Sequence, residues 1–381
     1  MCGRSWKRHT PRPVGYPCVP AQTGDVTNID PMVGPAKAGA EMLDAARRRA
    51  GRVLAAAGFG PRRTPSTVVD VAPGVRLHSY VDAGSPVLLV PAPIKRAYLW
   101  DLEPSVSVVA HAIGRGLRPF LVEWTEQSDD PGHGLAHFAD TLLGACLDAV
   151  TVQTGAPTAS VAGHSLGGTL AAILAARRPE RVAALAVLEA PLRFGDAAGS
   201  FAPLVAGTPP ASLQELARGG VPGAFLDVVS ATAAPREFAS EPRLDRLRSL
   251  ADPAALRTHL RVLRWASDEF RMPGALFRDV VEQLYRDDAF AQGTLEIAGE
   301  RVGPATLRAP LTTVFAPRSA VIPPSSVVPV HEAAVSEDKL LLEYGGDVGV
   351  ALQHVGALVG RTAHRDLWPR LLDRLSLPMP G

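Results

Sequence analysis

The sequence predicts an α/β chain, with a mostly parallel, doubly wound sheet interrupted by a helical insertion. Three observations lead there. Short apolar runs of strand length alternate with amphipathic, helix-length segments between Ser66 and Leu188. One of those strands runs through Gly163-His164-Ser165-Leu166-Gly167 directly into an Ala-rich helix. From about 193 to 304 the alternation stops and the chain turns helical and loop-like, before strands resume at 311.

The elements follow in order. Residues 1–34 are rich in Pro, Gly and polar residues without periodicity, and read as a disordered tail. Met42, Leu43, Ala46, Val53 and Leu54 recur at helical spacing, with an arginine cluster opposite; 35–65 reads as an amphipathic docking helix and linker. Strands are expected over 66–71, 75–80, 87–90, 119–124, 158–162 and 182–188, with helices over 105–116, 135–154 and 166–178. These make 66–192 the first part of the sheet domain and 193–304 the insertion. Residues 305–381 complete the domain, with strands at 311–315 and 339–344 and a last amphipathic helix at 362–375.

Composition narrows the function. Of 381 residues 46% are apolar and 20% charged, which is ordinary globular composition. The 39 basic and 38 acidic residues leave a net charge of +1, so there is no broad electrostatic footprint for nucleic acid or a membrane surface. Cys2, Cys18 and Cys146 are scattered and odd in number, which fits free thiols in a reducing compartment rather than a disulfide framework. The first twenty residues hold no apolar signal core, and no run of about 18 apolar residues occurs. A cytoplasmic protein without an integral membrane segment is the expectation. No glycine-rich phosphate loop or Cys/His cluster is present, so neither cofactor nor metal is expected.

The chemistry is concentrated at the Gly163–Gly167 turn. A serine hydroxyl attacks only when a base takes its proton and its oxygen is held exposed. A sharp strand-to-helix turn exposes it, and crowding in that turn demands glycine two residues to either side. Gly163 and Gly167 meet the demand and Gly168 adds room. The sequence therefore predicts an α/β-hydrolase fold with Ser165 as nucleophile and the insertion as a cap. The Leu166 N–H, at the helix start, would face a developing oxyanion. His164 is expected to shape the substrate pocket. On this fold the triad follows in the order serine, acid, histidine. His354 sits in a loop between the last strand and the last helix and is the candidate base. His331 comes too early, and His364 is expected to be a solvent-facing helix residue.

Together these segments resemble the polyhydroxyalkanoate synthase family, especially its short-subunit classes. The likeness lies in Ile94 through Pro104, Gly163 to Thr169, Ala190 to Phe194, Arg264-Trp265 with Asp268, Phe277 through Tyr285, Gly293 to Ile297, and His354-Val355-Gly356 followed by Trp368-Pro369. It covers about 66–378. The resemblance implies acyl transfer from an acyl ester or thioester, CoA- or carrier-protein-linked. It also implies, as a departure, that serine replaces the family's nucleophilic cysteine.

A second departure concerns the acid. The family places an aspartate before the stretch that is here Val321-Ile322-Pro323, and the matching position is Ser319. Glu189, ending the strand after the elbow helix, is the replacement candidate, and Asp347 is the weaker one. The oxyanion loop reads Pro91-Ala92-Pro93-Ile94; Pro93 has no N–H, which leaves Ala92 or Ile94, with Ile94 preferred. Asp101 is a candidate for orienting substrate, but as a residue typical of the family the resemblance gives it a structural role first. The function expected is a serine-dependent esterase, thioesterase or acyltransferase acting on a hydroxyacyl or polyketide-like group. A polyhydroxyalkanoate depolymerase or synthase stands second. A non-catalytic acyl-binding or accessory subunit, alone, as a homo-oligomer or with a partner subunit, stands third.

Overall fold

The computed structural model describes residues 33–376 apart from 127 and 129. The tail expected over 1–34 lies outside the described residues, except that positions 33 and 34 already belong to α1 (Val33–Leu54). Strands β1 (Thr67–Ala72), β2 (Val75–Ser79), β3 (Ser85–Val90), β4 (Leu117–Trp124), β5 (Ala159–His164) and β6 (Val182–Leu188) precede the insertion. A small hairpin, β7 (Leu295–Ile297) and β8 (Glu300–Val302), closes the insertion, and β9 (Leu311–Phe315) and β10 (Lys339–Glu343) follow it. That hairpin is a correction to the expected purely helical and loop-like segment. Its strands are only three residues each, too short for a periodicity to register.

The main sheet has the order β1-β2-β4-β3-β5-β6-β9-β10. β2 runs antiparallel to both its neighbours, and the remaining pairs are parallel. Parallel neighbours need helical crossovers. They are supplied by α2 (Val108–Gly114), α3 (Leu143–Thr154) and α4 (Leu166–Arg177). The cap contributes α5 (Ala202–Ala206), α6 (Pro210–Ala217), α7 (Gly223–Ala233), α8 (Glu241–Ser249), α9 (Pro253–Ala266) and α10 (Gly274–Asp279). α11 (Pro324–Ala333), α12 (Gly356–Val359) and α13 (Trp368–Leu375) complete the chain.

Period-two alternation sends the strand side chains into two separate cores. Leu88 and Val90 of β3 pack with α3 and α4 on one face. Val87 and Leu89 pack with α2 and α13 on the other. All four are fully buried, which accounts for the unbroken apolar run in the sequence. Each such side chain stabilises the fold by roughly 1.5–3 kcal/mol.

α1 does dock, against α6, α7 and α9 of the cap. The docked face differs from the expected one. Met42 and Val53 point to solvent, at 77% and 65% exposure, while Val33, Ala40 and Gly51 are buried. The contact is ionic and close rather than broadly apolar. Arg47 pairs with Asp227 and, at 3.2 Å, with Glu269. A Cβ on Gly51 would lie 3.2 Å from that of Ser267.

A buried ion pair pins the cap to the sheet domain. Glu103, in the segment after β3, pairs with Arg261 of α9 and accepts a 2.6 Å hydrogen bond from the Thr258 hydroxyl. Trp265 Nε1 donates to the Arg96 carbonyl at 2.8 Å beside it. Removing one member of a buried pair leaves the other charge without a partner. Arg261→Met should therefore lower unfolding stability by about 3–5 kcal/mol. Urea denaturation checks this, and the double variant Glu103→Gln/Arg261→Met should recover much of the loss.

Candidate active site

Ser165 alone makes the turn between β5 and α4, at φ 57° and ψ −136°. That conformation costs a non-glycine residue about 1–3 kcal/mol and persists only where surroundings enforce it. They do: its N–H donates to the Leu188 carbonyl at 3.1 Å, and its carbonyl accepts from Gly168 and Thr169 at 2.8 and 3.1 Å. The glycines are required by space. A Cβ on Gly163 would sit 2.5 Å from the Gly167 carbonyl oxygen, and one on Gly167 would sit 2.4 Å from that of Val90. One on Gly168 would meet the Ala190 Cβ at 2.5 Å.

His354 lies in a short turn after β10, and the cap holds the loop that leads to it. Asp245 of α8, itself buried, accepts the N–H groups of Gly349 and Ala351 at 2.8 Å each and contacts His259 Nδ1 at 2.7 Å. From the elbow side, the His164 ring donates from Nε2 to the His354 carbonyl at 2.8 Å, and the two rings lie 4.7 Å apart. Burial, with His354 close by, pushes the His164 pKa down to about 3, so its ring is neutral at ordinary pH. His164 thus shapes the site by fixing the loop that carries the base.

Behind His354 stands Glu189, at the end of β6 with φ 42° and its N–H held by the Val314 carbonyl at 2.8 Å. Glu189 Oε2 is 3.6 Å from His354 Nδ1. That is ion-pair distance, longer than a formed hydrogen bond. Burial drives both groups toward neutrality. It raises Glu189 well above the carboxylate range, with Glu237 adding to the rise. It lowers His354 to about 4, with Glu237 acting upward and Lys95 downward. When His354 gains a proton, each buried charge gains the other as its counter-ion. Asp347, the alternative acid, is engaged elsewhere: its Oδ2 accepts the N–H groups of Thr362 and Ala363 at 2.7 and 3.2 Å.

Leu166 and Ile94 both border the cavity that Ser165 faces. As the first residue of α4, Leu166 has no carbonyl one turn back to receive its N–H. Near Ile94 the loop is pinned by the Lys95 N–H on the Ala92 carbonyl and the Phe270 N–H on the Ile94 carbonyl, both at 3.0 Å. Leu166 and Ile94, with Ala92 as the alternative, stay candidates for the oxyanion site.

Two placements correct the expectations. Asp101 is fully buried away from the cavity and clamps the segment before β1. It accepts from the Thr64 N–H at 2.6 Å, the Thr64 hydroxyl at 3.0 Å and the Ser107 hydroxyl at 2.6 Å. A carboxylate with three donors already in place has no role in orienting substrate. His364 is buried as well, with Nδ1 2.8 Å from that of His111 and Nε2 on the Leu358 carbonyl. His331 contacts the Thr313 hydroxyl inside the fold.

The cavity over Ser165 has a volume of about 770 Å³ and is walled mainly by apolar groups of the cap, among them Phe225, Phe277 and Tyr285. His354 also lines it, and lines as well a second cleft of about 440 Å³ whose residues include the carboxylates Glu189 and Glu237. Among the described residues no group of side chains is arranged to hold a metal ion. Sequence reasoning missed Glu237, Asp245 and Lys95. Lys95 lines the cavity, pairs with Glu269 and lies 5.1 Å from the Trp265 ring centre. Cap residues follow no fixed spacing to the elbow, so only the fold brings them in.

If Glu189 is the triad acid, Glu189→Gln should lower kcat by about 10²–10⁴-fold with KM little changed, because the imidazole loses the group that fixes its tautomer. Steady-state turnover of an activated ester measures this; an unchanged kcat removes Glu189 from the triad.

Comparison with known proteins gives the geometry its context. A family model described as the alpha/beta hydrolase fold matches residues 111–244. The poly(3-hydroxyalkanoate) polymerase subunit of Haloferax mediterranei is 28% identical over 343 residues, covering 88% of this chain and 68% of that protein. The corresponding subunit of Synechocystis sp. is 25% identical, with 76% of this chain and 77% of that protein covered. Among solved structures, a hydrolase from Pseudomonas aeruginosa superposes with a TM-score of 0.51 at 16% identity, covering 82% of this chain and 98% of that one. An epoxide hydrolase from Bacillus megaterium gives 0.50 at 12%, with 82% and 100% covered. The structural likenesses speak to fold alone. The chain is polyhydroxyalkanoate-synthase-like and has the α/β-hydrolase fold.

Proposed function

We propose that this protein is an acyltransferase that carries a hydroxyacyl group as an ester on Ser165 and passes it to a hydroxyl acceptor, as in polyester synthesis. The observation that carries the reading is the enforced turn at Ser165, beneath an apolar cavity that His354 shares. The polymerase relatives move synthesis ahead of the hydrolytic reading that the serine alone favoured.

In this mechanism Ser165 Oγ attacks the carbonyl of a hydroxyacyl thioester while His354 Nε2 takes the hydroxyl proton. Glu189 stabilises the resulting imidazolium through Nδ1. The tetrahedral oxyanion is met by the N–H groups of Leu166 and Ile94. Collapse breaks the carbon–sulfur bond, and the thiol leaves with the proton held by His354. The hydroxyl of a second hydroxyacyl group then attacks the Ser165 ester, with His354 again as base. Serine is released and the chain is one unit longer. The apolar cavity supports transfer because it disfavours water at the acyl group.

One observation favours a second reading, hydrolysis. The second cleft, lined by several charged residues and by His354, gives water a place beside the base. With water as acceptor the product is the free hydroxy acid. An accessory, non-catalytic role is poorly supported, because the strained serine, its glycines and its histidine partner are all retained.

A serine-directed fluorophosphonate should label the folded protein at Ser165, as read by peptide mapping, and Ser165→Ala should abolish both labelling and turnover. Labelling confined to other residues would end the serine reading. Incubation with a 3-hydroxyacyl thioester should release thiol and yield oligomeric ester; free hydroxy acid as the sole product would favour the hydrolase.

A further inference from the structure

A second carboxylate reaches the base from the cap. The turn between α7 and α8, Arg236–Ser240, sets Glu237 on the loop that leaves β9. Its Oε1 accepts the Ala320 N–H, and its Oε2 lies 3.3 Å from the Ser319 hydroxyl. Ser319 Oγ in turn accepts the Ile322 N–H at 3.1 Å. The loop from Ala316 to Ile322 carries no acidic residue of its own, so this charge is borrowed from the cap. Glu237, Glu189 and His354 line one cleft.

We propose that Glu237 is a positioning residue that acts through the Glu189–His354 pair, its carboxylate stabilising the imidazolium that forms when His354 takes the Ser165 proton. The inference rests on the serine reading above. It fits the direction in which Glu237 acts on each partner, upward on both. One negative charge beside the pair makes every proton the pair accepts less costly.

The other charges around Glu237 are largely committed. Arg236 pairs with Glu241 at 3.1 Å, and Arg318 donates to the Gly345 carbonyl at 3.2 Å. Asp245 is occupied by His259 and two backbone N–H groups, and Asp347 by the start of the terminal helical segment. Arg248 faces the same cleft, as does the Tyr344 phenol, whose proton burial holds firmly. Lys95 acts on His354 from the acyl-cavity side with the opposite sign. Glu237's own contacts, a backbone N–H and a hydroxyl, are uncharged, and it is the cleft carboxylate outside the pair that acts on both Glu189 and His354.

The variant Glu237→Gln keeps an oxygen for the Ala320 N–H and removes the charge. The acid limb of the kcat/KM–pH profile reports protonation of the base. Loss of the anion makes that protonation harder, so the limb should move to lower pH by about half a unit or more. The plateau should fall by about two- to threefold as the base weakens. Glu237→Ser, a second neutral variant, should shift the limb in the same direction if Glu237→Gln folds poorly. An acid limb that coincides with the parent's in either folded variant overturns the proposal. Fluorophosphonate labelling in parallel separates the two ideas. Ser165 labelled with an unmoved limb sinks the role of Glu237 alone, whereas a parent protein unlabelled at Ser165 sinks the serine reading beneath it.

Discussion

The close approach of three backbones at the β5–α4 junction is the constraint on which the site depends. Gly163, Gly167 and Gly168 leave no room for a Cβ, and each contact ties α4 to a different neighbour: to β5, to the end of β3, and to the segment after β6. That closeness throws Ser165 into a conformation its side chain resists. The same closeness sets the start of α4, with its free N–H groups, over the end of β3, where the oxyanion loop begins. Proposed nucleophile, candidate oxyanion site and cavity floor are therefore one structural event. No part of it can be loosened without moving the others.

The histidine side is organised differently. His354 sits in a loop with little regular structure, and its position is fixed by side chains arriving from elsewhere: His164 from the elbow and Asp245 from the cap. Buried charges such as Asp245, Glu103 and Glu269 contribute little net stability, since desolvation offsets most of their attraction. What they give is geometry. Each has several directed partners and tolerates one arrangement. The cap is accordingly part of the catalytic apparatus as well as the roof of the acyl cavity.

This division explains what the sequence made legible. Every expected strand of the main sheet is present within a few residues, because buried parallel strands are written as local apolar runs. The elbow is equally local, and the chain order of the triad led to His354. Glu189 was reachable because a strand end is a predictable place. The structural partners of Asp101 were not legible, because its three donors come from Thr64 and Ser107, whose proximity only the folded chain reveals. His364 was misread because helical periodicity gives its direction but not that His111 waits there to receive it. The docked face of α1 escaped for a similar reason. Arg47 looked like a solvated charge until Asp227 and Glu269 of the cap supplied partners for it.

In the reaction proposed above, an oxygen nucleophile at Ser165 reshapes the energetics of transfer. A thioester is more activated than an oxygen ester, so loading Ser165 from a thioester runs downhill, while moving the acyl group from Ser165 to another hydroxyl exchanges one oxygen ester for another. The second step then has little driving force of its own, and its outcome is set by which acceptor occupies the space beside the ester. Phe225, Phe277 and Tyr285 hold that space for an acyl chain and against water. The second cleft at His354 is lined by several charged residues. In the proposed reaction the balance between polymer and free acid is therefore set near His354, which lines both spaces. A base placed there needs support for the charge it gains, and the carboxylates Glu189 and Glu237 line the cleft beside it.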